Sequence, residues 1–231
     1  GIGMGSEKSR TREAAEAVRG ADLLIGARRM VQSCVGRGQD VYVEYDSEKI
    51  GNYIRLHPEY EKIAIVLSGD TGFYSGAEAA AKAFMREGWD GEYGPGVSSL
   101  SYFCARLGKS WQNVHPVSSH GRECDVVAHI RNHRSCFILL GGPGSVSSLC
   151  RQLVGSGMSH VDIWAGENLS YEDERITWAM TPAELIMEDE HRPFGSLACV
   201  LVENDGALEE QLYPVKGPED SEFIRGPVPM T

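Results

Sequence analysis

Ile63-Ala64-Ile65-Val66-Leu67-Ser68-Gly69-Asp70-Thr71-Gly72-Phe73-Tyr74-Ser75-Gly76 is the stretch whose reading decides the fold. Five apolar residues in a row, three of them β-branched, predict a strand buried on both faces. The strand stops at Ser68-Gly69-Asp70, and the Ala-rich run from Ala77 to Met85 predicts a helix. A strand that feeds a helix through a glycine-dense turn is half of a βαβ unit. In open parallel sheets ligands bind at the carboxyl ends of strands. Glycines there let a backbone approach a small molecule closely. The bland alternative is a tight turn with no ligand. An acidic residue and two aromatics beside three glycines make the turn unusual for mere punctuation.

The alternation continues on both sides. Arg10 to Arg19 is rich in helix formers and Gly20 is a natural stop. Asp22 to Gly26 and Val41 to Tyr45 predict strands, and Ser47 is placed to cap a helix toward Leu56. Gly94-Pro95-Gly96-Val97-Ser98-Ser99 forms a turn whose serines can cap a helix from Leu100 to Leu107, followed by a strand at Val114 to Val117. A second alternation starts around Glu123: helix Cys124 to Asn132, strand Ser135 to Leu140, turn Gly141 to Gly144, helix Val146 to Val154, strand Val161 to Ala165. Thr181-Pro182-Ala183-Glu184 opens a further helix and Leu197 to Val202 is a last buried strand. The pattern is α/β with largely parallel sheets, in units 1–122 and 123–205, with a polar tail over 206–231.

The 231 residues carry a formal net charge of −11. Broad binding to nucleic acid needs a basic footprint and is disfavoured. No apolar run approaches a membrane span and no signal peptide is visible, so a cytoplasmic protein without membrane contact is expected. The six cysteines show no C-x-x-C spacing, and Cys136, Cys150 and Cys199 sit among apolar neighbours. They are expected to be reduced core residues, with no metal site. Gly141-Gly142-Pro143-Gly144-Ser145 lacks the lysine of a phosphate loop. Gly1-Ile2-Gly3-Met4-Gly5 lacks the dinucleotide spacing, so kinase, NTPase and dehydrogenase readings fall. An opening strand normally feeds such a loop, and residues upstream of Gly1 are expected. His120 stands between Ser118-Ser119 and Gly121-Arg122 on a loop at a strand end. Arg122 and the pair Arg28-Arg29 offer planar forks suited to carboxylate.

Six segments in order resemble the tetrapyrrole (corrin/porphyrin) methylase family, in its branch acting on late corrin precursors. They are Gly1 to Gly5, Ala21 to Arg29, Ser68 to Gly76, Gly96 to Leu100, Ser119 to Arg122, and Glu167-Asn168-Leu169 with Glu174-Arg175-Ile176. The resemblance implies two α/β domains with S-adenosylmethionine in the cleft between them, usually in a homodimer. It implies cofactor contacts at Gly69, Asp70, Thr71, Gly72, Phe73, Ser98, Ser99, Leu140, Gly141, Asn168 and Leu169. Gly3, Met4, Gly5, Arg29, Ser119, Gly121 and Arg122 would face the tetrapyrrole, with His120 as an orienting group or proton acceptor. Met4 and Thr71 stand where the family commonly has proline, so two turns lose a stiffening ring. The implied reaction is methylation of C5 of cobalt-precorrin-7, or of a precorrin-6Y/6B-type intermediate, in cobalamin biosynthesis. The segment Pro218 to Thr231 resembles the start of the C15-methylating, decarboxylating partner enzyme, so a fused partner is expected. Rival readings are a methylase for a protein histidine derivative (diphthine synthase-like) or ribosomal RNA, and a non-catalytic tetrapyrrole or nucleotide sensor.

Overall fold

The computed structural model describes residues 1–121 and 124–208. Arg122, the expected boundary at 122/123 and the segment Pro218 to Thr231 lie outside the described residues. The elements run α1 (Arg12–Arg19), β1 (Leu23–Gly26), α2 (Arg28–Gln32), β2 (Asp40–Val43), α3 (Ser47–Leu56), β3 (Ile63–Val66) and α4 (Ala77–Arg86). They continue with α5 (Ser99–Leu107), β4 (His115–Ser118), α6 (Val126–Asn132), β5 (Ser135–Leu139), α7 (Ser145–Gly155), β6 (Asp162–Glu167), β7 (Arg175–Ile176), α8 (Pro182–His191) and β8 (Ala198–Glu203). Among the described residues no helix is long and apolar enough to cross a membrane.

Two sheets organise the chain. The first has the order β2-β1-β3 with every pair parallel. Its centre is β1, buried along its whole length. Leu23 and Ile25 pack with Ile50 of α3 on one face, and Leu24 packs with Ala14, Val18, Met30 and Val31 of α1 and α2 on the other. The strand that opens the deciding stretch is therefore an edge strand. In β3 only Val66 is fully buried, and Ile63, Ala64 and Ile65 are half-buried. An apolar run looks the same at the centre and at the edge of a sheet, because neighbour number is set by strand order.

The second sheet has the order β4-β5-β8-β6-β7. β4 and β5 are parallel, whereas β8 inserts antiparallel between β5 and β6, so the sheet is mixed. One face, through Cys136, Ile138, Ile163, Val200 and Val202, packs under α6, α7 and α8. The other, through Phe137 and Leu201, packs against Leu100, Phe103 and Cys104 of α5. Strand pairing and this packing group β4 and α5 with the second sheet.

The caps follow from side-chain chemistry. Ser98 Oγ accepts from the Ser101 N–H at 3.1 Å, and Thr181 with Glu184 forms a capping box ahead of Pro182. Asp46, rather than Ser47, caps α3, accepting from the amides of Glu48 and Lys49 at 3.0 and 2.9 Å. The six cysteines form no disulfide. Burial pushes the Cys150 thiol up to about 12 and the Cys199 thiol well above its ordinary value, so both are inert core groups.

Candidate functional site

The carboxyl ends of β3, β4 and β5 open onto one cleft of about 290 Å³. The first sheet contributes Ser68, Gly69, Phe73 and Tyr74 from the loop after β3, and Arg29 from the start of α2. The second contributes Ser118 at the end of β4 and His120 after it, Leu139 and Leu140 at the end of β5, Asn168, Leu169 and Tyr171 after β6, and Ser196 to Cys199 at the start of β8. Met4 of the first loop and Ser99 of α5 complete the wall.

Backbone geometry explains the glycines on the first wall. Gly69 has φ +70°, and its amide donates to the Gly3 carbonyl at 2.7 Å while the Gly3 amide donates to the Gly69 carbonyl at 3.2 Å. This two-way bridge stitches the first loop onto the loop after β3. A Cβ on Gly1 would lie 2.5 Å from the Gly69 oxygen, and one on Gly96 would collide with the same atom. Three backbones therefore converge where no side chain fits. Asp70 Oδ1 accepts from the amides of Gly72 at 3.3 Å and Gly96 at 3.4 Å, which fixes the loop from inside.

Both walls carry strained backbone. Among the described residues the non-glycine residues at positive φ are Tyr74 (45°), Asn168 (47°) and Ser170 (74°), and the first two line the cleft. Such conformations cost of order 1–3 kcal/mol each and persist where neighbours over-determine them. Here the neighbours are visible. The Asn168 amide donates to the Leu197 carbonyl at 3.1 Å, and its Nδ2 to Asp173 at 2.7 Å. The Ser170 amide donates to Glu174 Oε2 at 2.7 Å, and Glu174 also accepts from the Tyr102 hydroxyl at 2.7 Å and from Arg106 Nε at 3.0 Å. Burial pushes the Glu174 carboxyl up, but the Ser170 N–H, Tyr102 and Arg106 together hold it below its ordinary value.

A polar bridge crosses the cleft. Arg29 Nη1 donates to the Met4 carbonyl at 3.0 Å and to the Tyr171 hydroxyl, and Nη2 donates to Ser68 Oγ at 3.3 Å. The guanidinium carbon lies 5.7 Å from the Tyr171 ring centroid. A Cβ on Gly5 would collide with that hydroxyl, which accounts for the glycine. Arg29 thus ties the turn after β6 to the first loop.

Of the residues expected from sequence, Met4, Arg29, Gly69, Phe73, Ser99, His120, Leu140, Asn168 and Leu169 line the cleft. His120 is exposed at its mouth, with its ring against Gly141, where a Cβ would lie 2.9 Å from Nδ1. Asp70, Gly72, Gly3 and Gly5 shape the loops behind the wall rather than facing the cleft. Ser98 is spent on the α5 cap. Ser119 donates through both its amide and hydroxyl to the Leu139 carbonyl, each at 3.0 Å. Thr71 lines a separate cavity along β3. Gly121 has φ +69° and closes the β4 loop. Sequence reasoning did not name Ser68, Tyr74, Ser118, Leu139, Tyr171 or the Ser196–Cys199 wall as site residues. The available signal for Tyr171 was an aromatic residue in an otherwise acidic loop.

The family described as Tetrapyrrole (Corrin/Porphyrin) Methylases matches residues 1–186. The chain is 30% identical over 179 residues to the cobalt-precorrin-7 C(5)-methyltransferase of Salmonella typhimurium, covering 77% of this chain and 87% of that protein. In fold it is similar to a cobalt precorrin-4 methyltransferase of cobalamin biosynthesis, with a TM-score of 0.71 at 19% identity, covering 88% of this chain and 92% of that one. It is also similar to the uroporphyrin-III C-methyltransferase of Thermus thermophilus complexed with S-adenosylhomocysteine. There the TM-score is 0.69 at 18% identity, over 88% and 94% of the two chains.

Proposed function

The chain belongs to the tetrapyrrole (corrin/porphyrin) methylase family, and on that premise we propose that it methylates C5 of cobalt-precorrin-7, or of the corresponding metal-free intermediate, on the route to cobalamin. It is an S-adenosylmethionine-dependent methyltransferase. The observation that carries the substrate is the 30% identity over 87% of the Salmonella relative.

The cleft suits the cofactor. Its walls are apolar at Phe73, Leu139, Leu140, Leu169 and Leu197, with Ser68, Ser99, Ser118 and Asn168 as scattered polar groups. A pocket of this kind buries an aromatic base and orients a few hydroxyls and charges. At about 290 Å³ it stands near the lower end of small-ligand sites. Gly69, Phe73, Leu140, Asn168 and Leu169 would hold the cofactor, and Met4, Arg29 and His120 would face the corrin. When bound, the cofactor supplies a methyl group already activated by a sulfonium, so no protein nucleophile is needed.

The side chains then align, shield and neutralise. Alignment by a rigid cleft can supply several kcal/mol of barrier lowering. Arg29 keeps further N–H groups beyond its bonds to Met4, Ser68 and Tyr171 and offers them to a substrate carboxylate. That local charge is needed because the chain's net charge of −11 repels an anionic ring system. His120 at the cleft mouth accepts the proton lost from the ring carbon. The same reading carries a homodimeric, cytoplasmic enzyme working beside a C15-methylating partner.

The test joins calorimetry with S-adenosylhomocysteine to a methyl-transfer assay on cobalt-precorrin-7. Binding at about micromolar Kd, roughly −8 kcal/mol, together with methyl transfer to C5 is the expected result. Binding with no methyl transfer to that ring, or transfer to another carbon, overturns the substrate. A His120→Ala variant with unchanged turnover removes the proton-acceptor role.

A further inference from the structure

His115, His129 and His133 belong to no part of the cleft, yet the fold gathers these three of the chain's seven histidines into one cluster. His115 begins β4, opposite Cys136 at the start of β5, whereas the cleft residue Ser118 pairs with Leu139 at the far end. Three residues of strand put the cluster on the order of 10 Å from the cleft wall. His129 lies in the last turn of α6, and His133, four residues on, is its C-cap, with its amide donating to the His129 carbonyl at 3.0 Å.

We propose that these three imidazoles form a second site, a seat for one divalent transition-metal ion of the zinc class. One nitrogen from each ring lies within 4.8 Å of the others, and all three residues are half-buried. His115 Nε2 and His129 Nδ1 are 3.0 Å apart, so between neutral rings one nitrogen donates to the other. A metal ion takes the place of that proton, and the donor ring carries the proton on its other nitrogen instead. His133 Nδ1 donates to the His129 carbonyl at 2.9 Å, which makes Nε2 the lone-pair nitrogen of its neutral ring. A ligating histidine usually anchors its second N–H in this way. Three imidazoles leave one coordination position for water, and imidazole suits zinc, copper and nickel over magnesium or calcium.

The rings have to turn to receive the ion. His115 and His133 stack with centroids 3.7 Å apart and planes 9° apart, so their lone pairs run side by side. A tetrahedral ion with bonds of about 2.0–2.1 Å needs its nitrogens roughly 3.4 Å apart. Closing from within 4.8 Å asks for rotations about the ring torsion, which is broad for histidine. The net charge of −11 favours cation approach.

The experiment is calorimetric titration of the full chain with zinc sulfate near neutral pH, repeated with cobalt(II) chloride and read by visible absorption. One equivalent bound with a Kd of about 1 µM or below, and a tetrahedral cobalt spectrum, are expected. His129→Ala/His133→Ala should weaken binding by roughly tenfold or more, and so should the milder His133→Gln, which keeps the fold available for measurement. His160→Ala, at a histidine bonded to Asn204 elsewhere, should bind as the parent does. Equal binding by parent and His133→Gln, or no saturable equivalent in the parent, overturns the site and leaves the cluster as an aromatic stack. S-adenosylhomocysteine affinity is measured on the same samples, so a failure of the cleft reading is distinguishable from a failure of this one.

Discussion

In the three-stranded sheet a single strand, β1, is buried along its length, while β2 is largely exposed and β3 is half-open. In the five-stranded sheet β5, β6 and β8 share the burden, with Phe137, Ile138, Ile163, Val200 and Leu201 fully buried. The smaller sheet nevertheless supplies the glycine bridge, Arg29 and the Phe73 loop. The larger sheet supplies the floor on which they rest, since Met4 and Phe73 pack into the cluster of Phe103, Phe137 and Leu201. A cleft at this seam combines a rigid platform with loops held mainly by backbone contacts. The first sheet can then carry geometry without carrying most of the stability.

The largest expected effect tests that division directly. Phe137→Ala removes a fully buried ring touching both Phe73 and Phe103, and should cost about 3–5 kcal/mol in denaturant unfolding. Ile65→Ala, on half-open β3, should cost about 1 kcal/mol, scaled to the smaller area buried. Equal losses would break the comparison.

Next comes the seam. Gly96→Ala drives a methyl group into the Gly69 carbonyl. It should weaken S-adenosylhomocysteine binding by at least tenfold, about 1.4 kcal/mol, while unfolding shifts less than for Phe137→Ala. A variant that melts early but binds normally would place the glycines in stability rather than in the site.

A smaller effect concerns the turn after β6. The Glu174 carboxyl is held below its ordinary value in the fold, so its stabilisation is fully present above the unfolded pKa and is lost as pH falls through the lower folded one. Unfolding free energy should therefore decline below about pH 4. Glu174→Gln should cost about 1–2 kcal/mol at neutral pH and flatten that decline. An unchanged acid limb in the variant would remove Glu174 as the group that ties α5 to the Ser170 turn. The smallest change is expected at the exposed pair Arg55–Glu87, with N···O of 2.7 Å, where Arg55→Ala should alter stability by about 0.5 kcal/mol or less.

Legibility followed the range of the interactions. The alternation of apolar runs with helix formers located most of the helices and strands, because burial of one face imposes a period on the chain itself. The capping box at Thr181 and the cap at Ser98 were readable because both bonds close within three residues. The two-residue strand β7 was not, being too short to show a period and existing only through its pairing with Gly166 and Glu167. The short helix α2 hid behind its basic pair, which reads as a loop signal until Met30 and Val31 are seen packed on β1.

By itself the sequence determined the α/β class, the glycine loops at strand ends and the family they belong to, since these rest on local propensity and on residue types at fixed spacing. Tertiary structure alone decided that β3 is an edge and that β8 enters antiparallel. It also decided that Tyr171 reaches Arg29 and that His115 stands beside His129 of α6 and His133 just past its end. Each of those facts depends on which segments, distant along the chain, share a neighbour, and no short window of sequence contains that information.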